Sequence, residues 1–102
     1  AIAIGAHVEV GTTAQFQVRD AASALEDLGV LLDGEEAGGV LMFTCNGRGS
    51  RFFSKPNQDA EAVQTAIGPL PLAGMACAGE IGPIAGQNHL HGFTASLALF
   101  PR

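Results

Sequence analysis

The sequence contains neither tryptophan nor tyrosine, and six phenylalanines make up its whole aromatic content. Any recognition surface on this chain therefore works with backbone groups, small side chains and phenylalanine rings. Basic residues are scarce: Arg19, Arg48, Arg51, Lys55 and Arg102 stand against ten acids, for a net charge of −5. No block of cations can neutralise consecutive phosphates, so nucleic acid is not an expected partner. Arg48, Arg51 and Lys55 do cluster locally, which suits one small anion. No apolar run reaches the roughly 18 residues that cross a bilayer, so no membrane partner is expected either. The only two cysteines, Cys45 and Cys77, lie in or beside apolar runs. They read as reduced thiols of a cytoplasmic protein, with a bridge between them left open. The opening AIAIGAH lacks a methionine and is too short and uncharged for a secretory signal, so a piece of a longer protein is expected.

What is present is a chain of 102 residues, 47% of them hydrophobic, enough for a single domain burying roughly two-thirds of its extended surface. AQFQVRD alternates Ala14, Phe16 and Val18 with Gln15, Gln17 and Arg19, the period of a half-buried strand, and a weaker strand precedes it near Ile4 to Val10. Asp20 caps a helix whose Ala21, Leu25, Leu28 and Leu32 share a face. VLMFTC and LAGMACA are continuous apolar runs, expected as strands covered on both sides. Between them QDAEAVQTAI places Ala60, Val63 and Ile67 on one helical stripe, stopped by Gly68 and Pro69. GFTASLALF closes the chain as a last strand, reached through a long loop over residues 79 to 92. The expected fold is α/β, of mixed α+β type: a mixed β-sheet flanked by two amphipathic helices, in the order β-β-α-β-α-β-β. A parallel pair through a helical crossover is expected, with the last two strands open to antiparallel pairing.

Two constellations carry chemistry. In the first, Cys45, Asn46, Gly47, Arg48, Gly49 and Arg51 lie where a buried strand runs out toward a helix, the edge at which α/β sheets bind ligands. Arg48 can grip a carboxylate through two parallel hydrogen bonds. The plainer alternative is a turn at Asn46 and Gly47 with solvated arginines. Cys45 reads either as a small buried residue or as a nucleophile with His91 as its base. In the second, Glu80 is an isolated carboxylate among glycines, just after a strand. It either receives the amine of a ligand whose acid meets Arg48, or forms a salt bridge to Arg48 itself. Gly79 lets backbone approach, while Asn88 and His91 supply directional hydrogen bonds. His89 and His91 lack a third ligand at metal spacing, so neither a metal nor another cofactor is expected.

VLMFTCNGRGSRFF with PNQDAEAV, PLAGMACAGEIGPIAGQNHLHGFTASLALF and the earlier FQVRDAASALEDL together resemble the carboxyl-terminal half of the FIST family, the F-box and intracellular signal transduction domains. The resemblance runs from about Gly5 to Phe100. Its most specific pieces are Cys45 to Gly49, Asp59, Gly79 to Pro83 and Asn88 to Thr94. It implies a sensory module that binds a small molecule such as an amino acid, and the leading expectation is that this module is non-catalytic. It also implies a partner in the family's amino-terminal half or another signalling protein. With that half missing, an exposed apolar face is expected to drive self-association into a homo-oligomer. The rival expectations are a protein-interaction surface and a thiol enzyme using Cys45.

Overall fold

The structure is a computed structural model that describes all 102 residues. Regular structure begins at α1 (Ala21–Leu32) and continues through β1 (Gly39–Cys45), α2 (Ser50–Phe53), α3 (Gln58–Ile67), β2 (Leu72–Cys77), β3 (Glu80–Ile84), β4 (Gln87–His91) and β5 (Ala95–Phe100). The mixed α+β class is as expected; the element order is not. Residues 1–20 form no strand, and Phe16 and Val18 stand exposed. Alternation specifies which faces a strand presents, but a strand forms only where a neighbour takes its backbone hydrogen bonds. No strand pairs with this segment.

Each helix starts and stops for local reasons. The Asp20 carboxylate accepts from Ser23 N at 3.0 Å and from Ser23 Oγ at 2.7 Å. Those bonds, led by the one from the Ser23 backbone, hold the Asp20 carboxyl below its ordinary range. The chain leaves α1 at Asp33, and Gly34 takes a positive φ of 76° to turn toward β1. α3 closes on Gly68, which has a φ of 100° and donates to Gln64 O at 3.0 Å.

β1 is the centre of a three-stranded sheet ordered β2-β1-β5. It pairs in parallel with β2, Val40 opposite Leu72 through Cys45 opposite Cys77. The expected helical crossover makes that connection. β5 lies antiparallel on the other side of β1, so the expected pairing of the last two long strands gives way to β5 on β1. Residues 79–92 are not an open loop but a hairpin, β3 on β4. Its two-residue turn takes positive φ at both positions, Ala85 (50°) and Gly86 (80°). The alanine at the first turn position hid that hairpin from the sequence pattern.

α1 and α3 cover one face of the sheet. Leu28, Leu32, Ala37, Val40 and Val63 are buried there, with Met42, Leu72, Leu97 and Leu99 packed around them. This matches the helical stripes. The opposite face is covered only at one end, where the hairpin lies against β5 and β1. A Cβ on Gly82 would sit 3.0 Å from Ser96 Oγ, so glycine permits that contact. The rest of this face is bare, with Leu41, Met75 and Phe100 exposed. The two central apolar runs are therefore covered on one side rather than two. Accessible surface totals 7603 Å², against about 5,400 Å² for a closed globule of this mass, so burial falls short of the expected two-thirds. The surplus comes from the largely exposed first 20 residues, the bare sheet face and the hairpin. No helix is long and apolar enough to cross a membrane.

Candidate functional site

The carboxyl end of β1 is tied on both sides. Cys45 N donates to Thr94 O at 2.9 Å and Asn46 N to Cys77 O at 2.8 Å, so the following turn is held at the junction of three strands. Arg48 N closes that turn on Cys45 O at 2.9 Å. Gly47 N donates to Cys45 Sγ at 3.4 Å. A Cβ at position 47 would lie 2.8 Å from the Phe93 ring, so any larger residue requires that ring to shift. Gly49 then serves as the N-cap residue of α2, and Asn46 is exposed at the turn.

Arg48 does not pair with Glu80. Its Nε donates to Asp59 Oδ2 at 2.9 Å and its Nη2 to Asp59 Oδ1 at 2.6 Å, a two-pronged ion pair with both side chains only 6% exposed. Asp59 sits in the first turn of α3, where the helix dipole also favours a carboxylate. The guanidinium carbon lies 5.3 Å from the centre of the buried Phe53 ring. The salt bridge expected between positions 48 and 80 is thus replaced by one that ties the β1 turn to α3. An acid in a helix's first turn, eleven residues after an arginine, was the available signal.

Glu80 is the most deeply buried acid, at 1% exposure. Its Oε2 accepts from Thr94 N at 3.3 Å and from Thr94 Oγ1 at 3.0 Å, and Thr94 Oγ1 lies 2.6 Å from His91 Nδ1. With the threonine hydroxyl donating to the carboxylate, His91 Nδ1 carries a proton and donates to the hydroxyl in turn. Glu80 Oε1 and His91 Nε2 are buried without partners. Glu80 and His91 face each other across the hairpin register, at its base. Asn88 lies three residues earlier in β4, toward the turn and about 10 Å away, and is exposed, so it does not join this cluster. Gly79 packs beside Leu90 at the hairpin's start. Cys45 and His91 share no hydrogen bond; the thiol's contacts are Gly47 N and Asn46 Oδ1.

The Glu80 to Thr94 bonds hold a strained neighbour. Phe93 has a φ of 60°, a left-handed conformation that costs a non-glycine residue of this bulk on the order of 1–3 kcal/mol. Its ring stands edge-on to Phe52 at 4.7 Å and beneath the Arg19 guanidinium at 4.3 Å. Replacing Glu80 by alanine leaves Thr94 N–H and Oγ1 without their acceptor. The expected outcome is a loss of about 2 kcal/mol in urea unfolding, with faster hydrogen exchange at the Thr94 amide. An unchanged midpoint together with unchanged exchange contradicts this positioning role.

These elements enclose a cleft of about 610 Å³, within the range of small-molecule sites. One wall is α1, with Asp20, Ser23 and Asp27; the other comprises Gln17 to Arg19, Arg48 and Gly92 to Ala95. Arg48 lines the cleft directly, whereas Glu80 reaches it only through Thr94. Sequence reasoning did not single out Arg19, Asp27 or Phe93 for the site. Their neighbourhood arises from the packing of α1 beside the β4 to β5 connection, which no local pattern encodes.

A family model described as the FIST C domain matches residues 1–83. The chain belongs to the FIST C domain family. FIST C is a domain associated with signal transduction, and the match takes in the β1 turn, Asp59 and Glu80. It stops short of His91, Phe93 and Thr94, which complete the cleft and the buried cluster. An uncharacterized protein of Mycobacterium tuberculosis (strain ATCC 25618 / H37Rv) is 55% identical over 98% of this chain, which covers 28% of that relative. An uncharacterized protein of Mycobacterium bovis (strain ATCC BAA-935 / AF2122/97) is 54% identical over 91% of this chain, covering 26% of its own length. This FIST C chain thus spans under a third of those relatives. No solved structure matches it.

Proposed function

We propose that this FIST C domain is a non-catalytic, intracellular sensory module that takes a small zwitterion, an amino acid in the first instance, in the cleft between α1 and the β4 to β5 connection. The observation that carries this reading is the pairing of opposite charges across one cleft of ligand size. Arg19 and Arg48 lie on one side and Asp27 on the other, with the Phe93 ring between strand ends and helix. Arg48 has two of its five N–H groups committed to Asp59, which leaves donors for a ligand carboxylate. Arg19 is exposed, stacked on Phe93 and free of any ion pair, so it is the more available grip. Asp20 spends both carboxylate oxygens on Ser23. That leaves Asp27 as the acceptor for the amine. In this reading Glu80 and His91 position Thr94 and Phe93 and do not touch ligand, and Asn46, exposed in the turn, does not line the cleft.

The bare sheet face bearing Leu41, Met75 and Phe100 is where we place the remaining polypeptide, because the curated relatives run far beyond the span matched here. The ligand reading is tested by isothermal titration calorimetry of the chain against the twenty protein amino acids. At least one is expected to bind, and Arg19→Ala is expected to weaken it by about tenfold to a hundredfold, the worth of a hydrogen bond to a charged group. Absence of heat across the whole set, or equal affinity in Arg19→Ala, rejects it.

A further inference from the structure

We propose that Cys45 and Cys77 form a reversible intramolecular disulfide, making the carboxyl edge of the β1/β2 pair an oxidant-responsive site. The two residues are register partners at the last position of adjacent parallel strands. Neighbouring strands lie about 4.8 Å apart, and residues in register present their side chains on the same face. That spacing falls inside the roughly 4.4–6.8 Å between Cα atoms that a disulfide spans. Thirty-one intervening residues separate the cysteines in sequence, so parallel pairing alone brings them together.

Both are free and half-buried, within reach of a small oxidant. The Cys45 sulfur is held toward the turn by Gly47 N, and the Cys77 sulfur points to Met75 O at 3.7 Å. Rotation about each Cα–Cβ bond is needed to bring the sulfurs together. Cβ atoms carried straight up from neighbouring parallel strands also stand slightly wider than the roughly 3.5–4.5 Å of a relaxed bridge. Closure therefore draws the strand ends together. The resulting strain places this disulfide among the easily reduced, regulatory kind.

The chemistry balances with a hydroperoxide as oxidant. The Cys45 thiolate attacks a peroxide oxygen; the S–O bond forms, the O–O bond breaks, and the departing hydroxide or alkoxide takes up a proton. The Cys77 sulfur then attacks the Cys45 sulfur. The S–S bond forms, the sulfenic S–O bond breaks, and the departing hydroxide takes up the Cys77 proton and leaves as water. Two electrons have moved from the thiol pair to the peroxide, and a cellular thiol returns them by exchange. The consequence reaches the cleft, because Arg48 N is bonded to Cys45 O and Gly47 lies against Phe93. Movement of the β1 end shifts the wall that carries Arg48 and Phe93.

The decisive experiment exposes dilute chain to hydrogen peroxide, blocks remaining thiols with iodoacetamide under denaturing conditions, and measures the intact mass. The expected product is a monomer lacking two hydrogen atoms and carrying no alkyl group, restored to two alkylatable thiols by dithiothreitol. Cys77→Ser is expected to lose the bridge and to accumulate a dimedone-trapped sulfenic acid on Cys45. Full alkylation of both cysteines after peroxide overturns the proposal. So does a product in which the only disulfides join two chains, whatever the ligand experiment shows.

Discussion

Arg48→Ala is expected to destabilise the chain by about 3–5 kcal/mol, read as a shift in the urea unfolding midpoint. The variant strands the Asp59 carboxylate, whose side chain is only 6% exposed, without its cation. Desolvating a carboxylate is tolerable while a guanidinium returns two charge-assisted hydrogen bonds, and becomes costly once both are gone. The control is the double variant Arg48→Met with Asp59→Leu, which removes both charges and fills comparable space. It is expected to recover most of the loss, because the penalty lies in the uncompensated charge and not in the absence of the pair. Equal destabilisation of the single and double variants contradicts this account. A ligand-binding role for Arg48 is consequently best examined with substitutions elsewhere in the cleft. An Arg48→Ala chain that fails to bind has first lost the strut between β1 and α3.

Gly74→Ala is expected to cost about 3 kcal/mol, the upper end for forcing an extra group into a packed site. A Cβ at position 74 falls against the backbone of Met42, its register partner on β1, coming within 2.7 Å of the carbonyl carbon and colliding with the carbonyl oxygen. A side chain could swing aside; a backbone carbonyl in the middle of a sheet cannot. β2 must shift away from β1, and the displacement carries to Cys77 three residues later. The substitution is therefore expected to lower thermal stability and, in the same protein, to slow peroxide-driven bridging of Cys45 to Cys77. Retention of wild-type stability shows that the strands part without cost and removes the argument for glycine here. Gly29 is a useful contrast, since no heavy atom outside its own helix lies within 4 Å of a Cβ there. Gly29→Ala is an exposed helical position where alanine is favoured on propensity alone.

The sequence by itself determined the two long helices, the central strands and the place of the turn, because each is encoded by neighbours along the chain, whereas the short α2 was not anticipated. Leu28 and Leu32 on one helical face, Val63 on another, Asp20 as a cap and Gly68 as a stop all act over one or two turns of backbone. The Cys45 to Gly49 motif likewise marked the end of β1, and the family resemblance rested partly on those same residues. Tertiary structure alone decided which side chains meet. Arg48 had two acids to choose between, Asp59 and Glu80, and the crossover that lays α3 beside the β1 turn selected Asp59. Glu80 was drawn instead beneath Thr94 by the hairpin's position against β5. The alternating segment before α1 carried a strand's pattern without a partner strand to complete its hydrogen bonds, and it forms no regular structure. Hydrogen-bonded ladders, ion pairs and thiol pairs join residues distant in sequence, so their formation depends on the path of the chain between them and not on the residues' own identities.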